Sequence, residues 1–540
     1  MKSHRFLVVS DLHLTSGKDP HSGVWAPTED FFWDEEFRDF LVHYSTGGDS
    51  TLIINGDLFD FLKVLVFPTP SELAAYGIPE ADVNHAYGLR CSEPAGVFQI
   101  DKIVDGHPLF FRTIVDFLLA GNRVIILKGN HDIQLFWGAV QDRLYKRLEE
   151  MAPSGEKETI RKALEFLPWC FYVPGLLYVE HGNQYEYTTS FRNFLHPELP
   201  VSYPGTSKQI ELDLSGFLVR YVLNRLKPID PLSDSIRPQS KYFEMFMQSH
   251  PFTFLTTIGT TLKYVLKAFA KARELGRGSL VEAIQRICAE NLRLIGTEAK
   301  RFSEGNEKIA ESLEKRLRLF DSRKAPPVLT LGAWNFLWME IQTPLKGLLL
   351  LLPLYVLTFV VDLNAAVMSV ILDWSPSFWK SVLEGLCTLK IPQIAAIVLL
   401  GMGMTWIYRR SRKGKTGAST DNLDVTRKVR GDAQFIAREL GVKFVTFGHT
   451  HYADIFRCSE NSWYFNTGTW MTIFSPEEQI YRDAHQFTYL EVQHGEAQLL
   501  RWNPDRKAPQ PVRVVDTEPA ETSTEDSILK VILGVLGMKK

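Results

Sequence analysis

Cysteine is scarce in this chain. Five residues, Cys91, Cys170, Cys288, Cys387 and Cys458, are scattered through 540 positions with no CxxC pair. An odd, sparse set of this kind is a poor disulfide framework and fits a reducing cytosol. An excess of one charge is also missing: 60 basic residues stand against 63 acidic ones, for a net charge of −3. That balance excludes a global electrostatic grip on nucleic acid, and no nucleic-acid partner is expected. No secretory signal opens the chain; Phe6–Val9 is an apolar run of four, the length of a buried strand. Disorder is excluded for the bulk by 45% hydrophobic and 23% charged residues. A mean hydropathy of −0.08 is greasy for a soluble protein, so long apolar runs matter here.

The first third alternates strands and helices. FLVVS at 6–10, TLIIN at 51–55, RVIILK at 123–128 and LLYVE at 176–180 read as strands. Helical patterns lie between them, near 31–43 and 109–120. From about 185 to 422 the pattern is mainly helical, with amphipathic stretches at 212–226 and 252–275 and a charged stretch at 279–320. The α/β pattern then returns, with a helix at 425–440 and strands at 442–447, 462–470 and 487–492. Ala508–Asp526 is rich in Pro, Thr and Glu and is expected to be a loose linker. The tail from Ser527 has apolar residues at helical spacing and ends in lysines, as an amphipathic helix lying on a membrane surface, or one docked on the protein's own body, would.

Two stretches inside the helical region are strongly apolar. IPQIAAIVLLGMGMTWIY at 391–408 has no charge over 18 residues, the length of a bilayer-spanning helix. Leu345–Leu372 is apolar but contains Asp362 and Asn364, and a charge inside the bilayer is costly. Both are expected to cross a lipid bilayer as a hairpin, the alternative being a pair of buried helices in a large helical domain. RRSRKGK at 409–415 would keep the flanking domain cytoplasmic.

Polar residues cluster where the strands end: Asp11 and His13, Asp57, Asn130 and His131, His181, and His449 and His451. Five of the 14 histidines fall in four short patches, each directly after a strand. Open α/β sheets place their active sites at that edge. Neutral imidazole and carboxylate suit Mn, Fe, Zn or Ni. The D-x-H and H-x-H spacings project both side chains to one side of an extended strand end. Asp57, at a central strand end, can bridge two ions. Two ions about 3.5–4 Å apart can hold a phosphoryl group and activate water at neutral pH. Asn130 adds a neutral oxygen, which keeps the site open to an anionic substrate.

The set SDLHL (10–14), GDLFD (56–60), GNHD (129–132), HGN (181–183) and GHTH (448–451) resembles the calcineurin-like metallophosphoesterase superfamily over about 1–184 and 425–503. FNTGTW at 465–470 also resembles the strand after GHTH in many members. The resemblance implies an α/β fold, a two-sheet αββα sandwich, with a dinuclear metal site between the sheet ends. By motif, one divalent ion would take Asp11, His13, Asp57 and His451, and the other Asp57, Asn130, His181 and His449. His131 would stabilise the transition state or protonate the leaving oxygen, with Asp132 orienting it. Among members, the UDP-2,3-diacylglucosamine pyrophosphatases are similar, but they carry Arg where His131 stands and lack the long insertion. HGNQYE at 181–186 resembles large bacterial phosphoesterases with hydrophobic inserts.

The expected organisation is a catalytic domain in two parts, 1–184 and 425–503. A helical insertion at 185–424 would carry the membrane helices 345–372 and 391–408, and 504–540 would form a linker and amphipathic helix. The expected function is metal-dependent hydrolysis of a phosphate ester or pyrophosphate, lipid-linked, at the cytosolic face of a bacterial inner membrane, with Mn as the leading metal. The alternatives are a phosphodiesterase or nuclease of soluble substrates anchored to the membrane, and a scaffold that has lost catalysis.

Overall fold

The computed structural model describes residues 4–186, 188–199, 205–224, 277–302, 310–311, 314, 420–475, 480–481 and 486–512. The chain divides into two compact units, Met1–Gly332 with Asp421–Asp516, and Ala333–Thr420 with Thr517–Lys540. The second unit lies outside the described residues apart from Thr420, and with it the apolar stretches 345–372 and 391–408 and the C-terminal amphipathic segment. Among the described residues no helix is long and apolar enough to cross a membrane.

The first unit is built on β1 (Arg5–Val9), β2 (Ser50–Asn55), β3 (Arg123–Leu127), β4 (Leu164–Leu167), β5 (Cys170–Val173), β6 (Leu177–Glu180), β7 (Phe444–Phe447), β8 (Ala453–Arg457), β9 (Trp463–Thr467), β10 (Thr488–Gln493), β11 (Glu496–Asn503) and β12 (Ala508–Pro511). Seven strands form one sheet in the order β12-β11-β10-β1-β2-β3-β4, and five form a second in the order β8-β9-β7-β6-β5. β1 through β4 run parallel, as do β6, β7 and β9. Their C-terminal ends therefore share one edge in each sheet.

Alternation along the strands separates two cores. Val8, Ile53 and Ile125 meet Val179, Phe444 and Phe465 between the sheets. Leu7, Val9, Leu52, Ile54, Val124 and Ile126 face the other way, into a cluster with Phe37, Phe40 and Tyr44 of α1 (Asp34–Tyr44) and Val115 and Leu118 of α2 (Pro108–Leu119). Strands buried on both faces read as continuous apolar runs, which is why β1, β2 and β3 stand out in the sequence.

Two segments depart from the sequence reading. Ala508–Pro511, expected in a loose linker, pairs with β11 as the outermost strand. Its two prolines suit an edge, where a missing N–H breaks no inner ladder. Residues 212–226, expected as one amphipathic helix, begin as a short helix, Leu214–Leu218, capped by Asp213 and followed by a π-helical turn, Val219–Leu223.

Candidate metal centre

The strand ends deliver their polar residues to one point. β1 ends at Val9, and the next residues bond across to the end of β2. Leu12 and His13 donate their N–H groups to Asp57 O at 3.0 and 2.9 Å, and Leu14 donates to Leu58 O at 2.9 Å. The backbone there is unusual. Only eight non-glycine residues have positive φ among the described residues, and five of them are Asp11, His13, Asp57, His449 and His451. Such backbone costs on the order of 1–3 kcal/mol per residue and persists where surrounding structure enforces it, typically at functional sites.

The geometry brings together all seven residues expected as metal ligands. Asp57 Oδ2 lies 3.1 Å from His181 Nε2 and 3.8 Å from His13 Nε2. His13 Nε2 faces His451 Nε2 at 3.2 Å. Asn130 Oδ1 is 3.3 Å from His181 Nε2. Asp11 Oδ1 is 3.3 Å from His451 Nε2 yet makes no hydrogen bond although buried. Three overlapping groups could each hold a metal ion: Asp11, His13 and His451; His13, Asp57 and His131; and Asp57, His181 and His449. Ring nitrogens facing each other beside buried carboxylate oxygens fit a divalent cation better than any hydrogen-bond pattern, because one small charge satisfies all of them.

The outer atoms of these residues are held as well. His181 Nδ1 donates to Asn55 O at 2.8 Å, which leaves Nε2 for the centre. His449 Nε2 contacts Glu186 Oε2 at 3.0 Å and Thr189 Oγ1 at 3.1 Å. His449 N donates to Asp11 Oδ2 at 2.9 Å, and His131 N donates to Asp57 Oδ1 at 2.8 Å. Partners of this kind fix the orientation of metal-binding side chains.

Burial opposes the charges of Asp11, Asp57, His131 and His181, and opposite charges overcome it. Asp11 is held well below the usual carboxylate range by His451 and His13, despite burial. Asp57 is held low by His181 and His131, again against burial. In return, Asp57 pushes His181 up to about 10, and Asp60 and Asp57 push His131 up to about 9, both against burial. A cation among these groups would compete with the proton on His181.

His131 has a different partner from the one expected. Its Nδ1 bonds Asp60 Oδ2 at 2.9 Å. Asp132, expected to orient it, instead accepts the backbone N–H groups of Leu58 and Gly129 at 2.9 and 2.6 Å. Burial and the neighbouring Asp57 push Asp132 up to about 7. Its carboxylate ties the end of β3 to the end of β2, because the turn folds it back onto its own backbone.

Three site residues escaped the sequence reading. Asp60 was within reach, as the second acid of GDLFD. Glu186 closes HGNQYE, but nothing local marks it as a partner of His449. Asp213, whose Oδ2 lies 3.5 Å from Asn130 Nδ2, comes from the helical region and has no sequence signal. Burial pushes Asp213 up to about 8, with His131 opposing.

Residues 4–204 match the family model of calcineurin-like phosphoesterases, which are metal-dependent hydrolases of phosphoesters. No curated protein and no solved structure matches the chain.

Proposed function

We propose that this chain, which carries a calcineurin-like phosphoesterase domain, uses two divalent ions to hydrolyse a phosphate ester or pyrophosphate. The supporting observation is the convergence of Asp11, His13, Asp57, Asn130, His181, His449 and His451 from both sheets, with Asp57 common to two of the three metal-competent groups. Asp11, His13, Asp57 and His451 would hold one ion, and Asp57, Asn130, His181 and His449 the other. Bound there, the ions would neutralise phosphoryl charge and activate water. The chain's own work is orientation and proton transfer. Asp60 holds His131 by Nδ1, so Nε2 is the ring nitrogen that meets the substrate. A proton held there can pass to the leaving oxygen, and its positive charge favours an anionic substrate. Mn is the metal we favour.

The substrate we propose is lipid-linked or amphiphilic, met at the cytosolic membrane face. This reading rests on the uncharged stretch 391–408, the longer apolar stretch 345–372 and the basic run after them.

The test is turnover by purified full-length protein across lipid pyrophosphates, soluble diesters, nucleic acids and monoesters, with each metal in turn. Metal-dependent turnover of at least one ester is expected, and lipid pyrophosphates should lead. No turnover with any metal sinks the enzyme reading. Preference for nucleic acid or a soluble diester sinks the lipid reading alone.

A further inference from the structure

Asp60 does not hold His131 unaided. Lys63, on the short turn Phe61–Lys63, is 2% exposed. Its Nζ lies 3.0 Å from Asp60 Oδ2, the oxygen that receives His131 Nδ1 at 2.9 Å. On its other side Nζ lies 2.8 Å from Asp30 Oδ2, and Asp30 is itself buried. The backbone is clamped too: Thr28 Oγ1 donates to Lys63 O at 2.6 Å, and Lys63 N donates to Asp60 O at 3.1 Å. Asp30, Lys63 and Asp60, all buried, thus form one continuous chain of contacts that ends on the partly exposed His131. The same Asp60 oxygen lies 3.5 Å from His13 Nδ1.

Stability does not account for this arrangement. A buried ion pair is often no better than well-packed apolar residues of the same volume. A lysine carries about 2 kcal/mol of rotamer entropy, much of which is lost on burial. What the lysine does supply is a fixed position for one carboxylate oxygen. A carboxylate held only by an imidazole can rotate about its last bond and carry the ring with it. Held by Lys63 at 3.0 Å and by His131 at 2.9 Å, Asp60 Oδ2 is restrained by two partners rather than one. Neither Asp30 nor Lys63 belongs to the five strand-end motifs.

We propose that Lys63, anchored by Asp30, is a positioning residue for turnover: it pins Asp60 Oδ2, and through it the His131 ring. This rests on the reading that His131 serves the reaction.

The experiment uses the full chain, loaded with Mn and assayed on whichever ester the panel identifies. Lys63→Met should lower kcat by about 10–100-fold, as loss of an orienting partner does. KM should stay within about twofold, because no substrate contact is lost. Metal content should not change. In a His131→Ala background the same substitution should alter kcat by less than about threefold, since its effect runs through a ring no longer there. An unchanged kcat, or an equal loss in both backgrounds, overturns the proposal.

A second readout separates it from the reading of His131. With isotope-labelled histidine and Zn, which is diamagnetic, in place of Mn, the Nδ1–H signal of His131 is the one that His131→Ala removes, and Lys63→Met should shift it. If His131→Ala leaves turnover intact, the role of His131 fails, but a shifted signal still supports positioning by Lys63. An unmoved signal overturns it. Should Lys63→Met not fold, Lys63→Met with Asp30→Asn removes one buried charge of each sign and is measured in its place, with the same outcomes.

Discussion

The seven-stranded sheet sends Asp11, Asp57 and Asn130 to the centre with two imidazoles, His13 and His131, whereas the five-stranded sheet sends only imidazoles, His181, His449 and His451. Neither sheet could bury its contribution alone. The carboxylates of the first would be uncompensated charges in a dry interior. The imidazoles of the second would lose the anions that set their orientation. Each therefore holds the other. Asn55 Nδ2 donates to Glu180 O at 2.9 Å and Asn55 O accepts from His181 Nδ1 at 2.8 Å, while Ser10 Oγ meets Thr467 Oγ1 at 2.7 Å. The seam is close enough to need glycine. A Cβ on Gly56 would lie 2.4 Å from His181 Nδ1, and one on Gly448 would lie 2.4 Å from Ser10 Oγ and 2.6 Å from Asp11 Oδ2. The site is also the joint between the sheets, so chemistry and assembly share residues.

Asp57→Asn attacks the joint at its centre, since Asp57 touches His181 of the far sheet and His13 of its own. We expect metal-dependent hydrolysis to vanish and metal content to fall. Near-normal turnover with full metal occupancy would falsify the assignment of Asp57 as the shared ligand.

A second prediction concerns a cluster that belongs to one side only. His107 is buried between Glu29 and Asp34, at 3.2 and 3.1 Å. Burial opposes its charge, but Glu29 and Asp34 prevail and push it up to about 9. A group whose folded pKa is raised stabilises fully below its unfolded value, about 6.5 for histidine. That contribution, about 3 kcal/mol, is lost as pH rises through 9. Melting temperature should therefore fall between pH 6.5 and 9, and His107→Gln should flatten that slope. An unchanged slope in the variant would show that the cluster does not control it.

Gly448→Ala tests the seam by steric means, leaving every ligand in place. Its new Cβ meets Ser10 and Asp11, so the sheets must separate slightly, and overpacking of this kind costs about 1–3 kcal/mol. A lower melting temperature together with weaker metal binding is expected. If melting falls while metal affinity holds, joint and site are separable.

The smallest effect is expected from Glu186→Gln, which keeps the shape but removes the charge facing His449 Nε2. Metal affinity should drop about tenfold, the low end for loss of an orienting partner. Titration calorimetry with Mn measures it, and an unchanged affinity would remove Glu186 from the centre.

The strand ends are legible in the amino-acid pattern. A strand buried on both faces is a short apolar run, and a polar cluster directly after it must lie at a sheet edge. Both signals are local, so Asp11, His13, Asp57, Asn130, His131, His181, His449 and His451 could be named as one cluster from spacing and residue type, while the division into ligands and a proton donor came from the resemblance to a known family. Which side chains face each other is set by packing. Asp132 adjoins His131 in sequence, yet its short side chain turns back to the N–H groups of Gly129 and Leu58. Asp60, 71 residues away, reaches His131 because β2 and β3 run parallel and end side by side. Glu186 and Asp213 entered in the same way, through loops whose path no local pattern records. Periodicity is written in neighbouring residues, whereas a hydrogen bond between distant side chains is fixed only when the backbones that carry them have been packed.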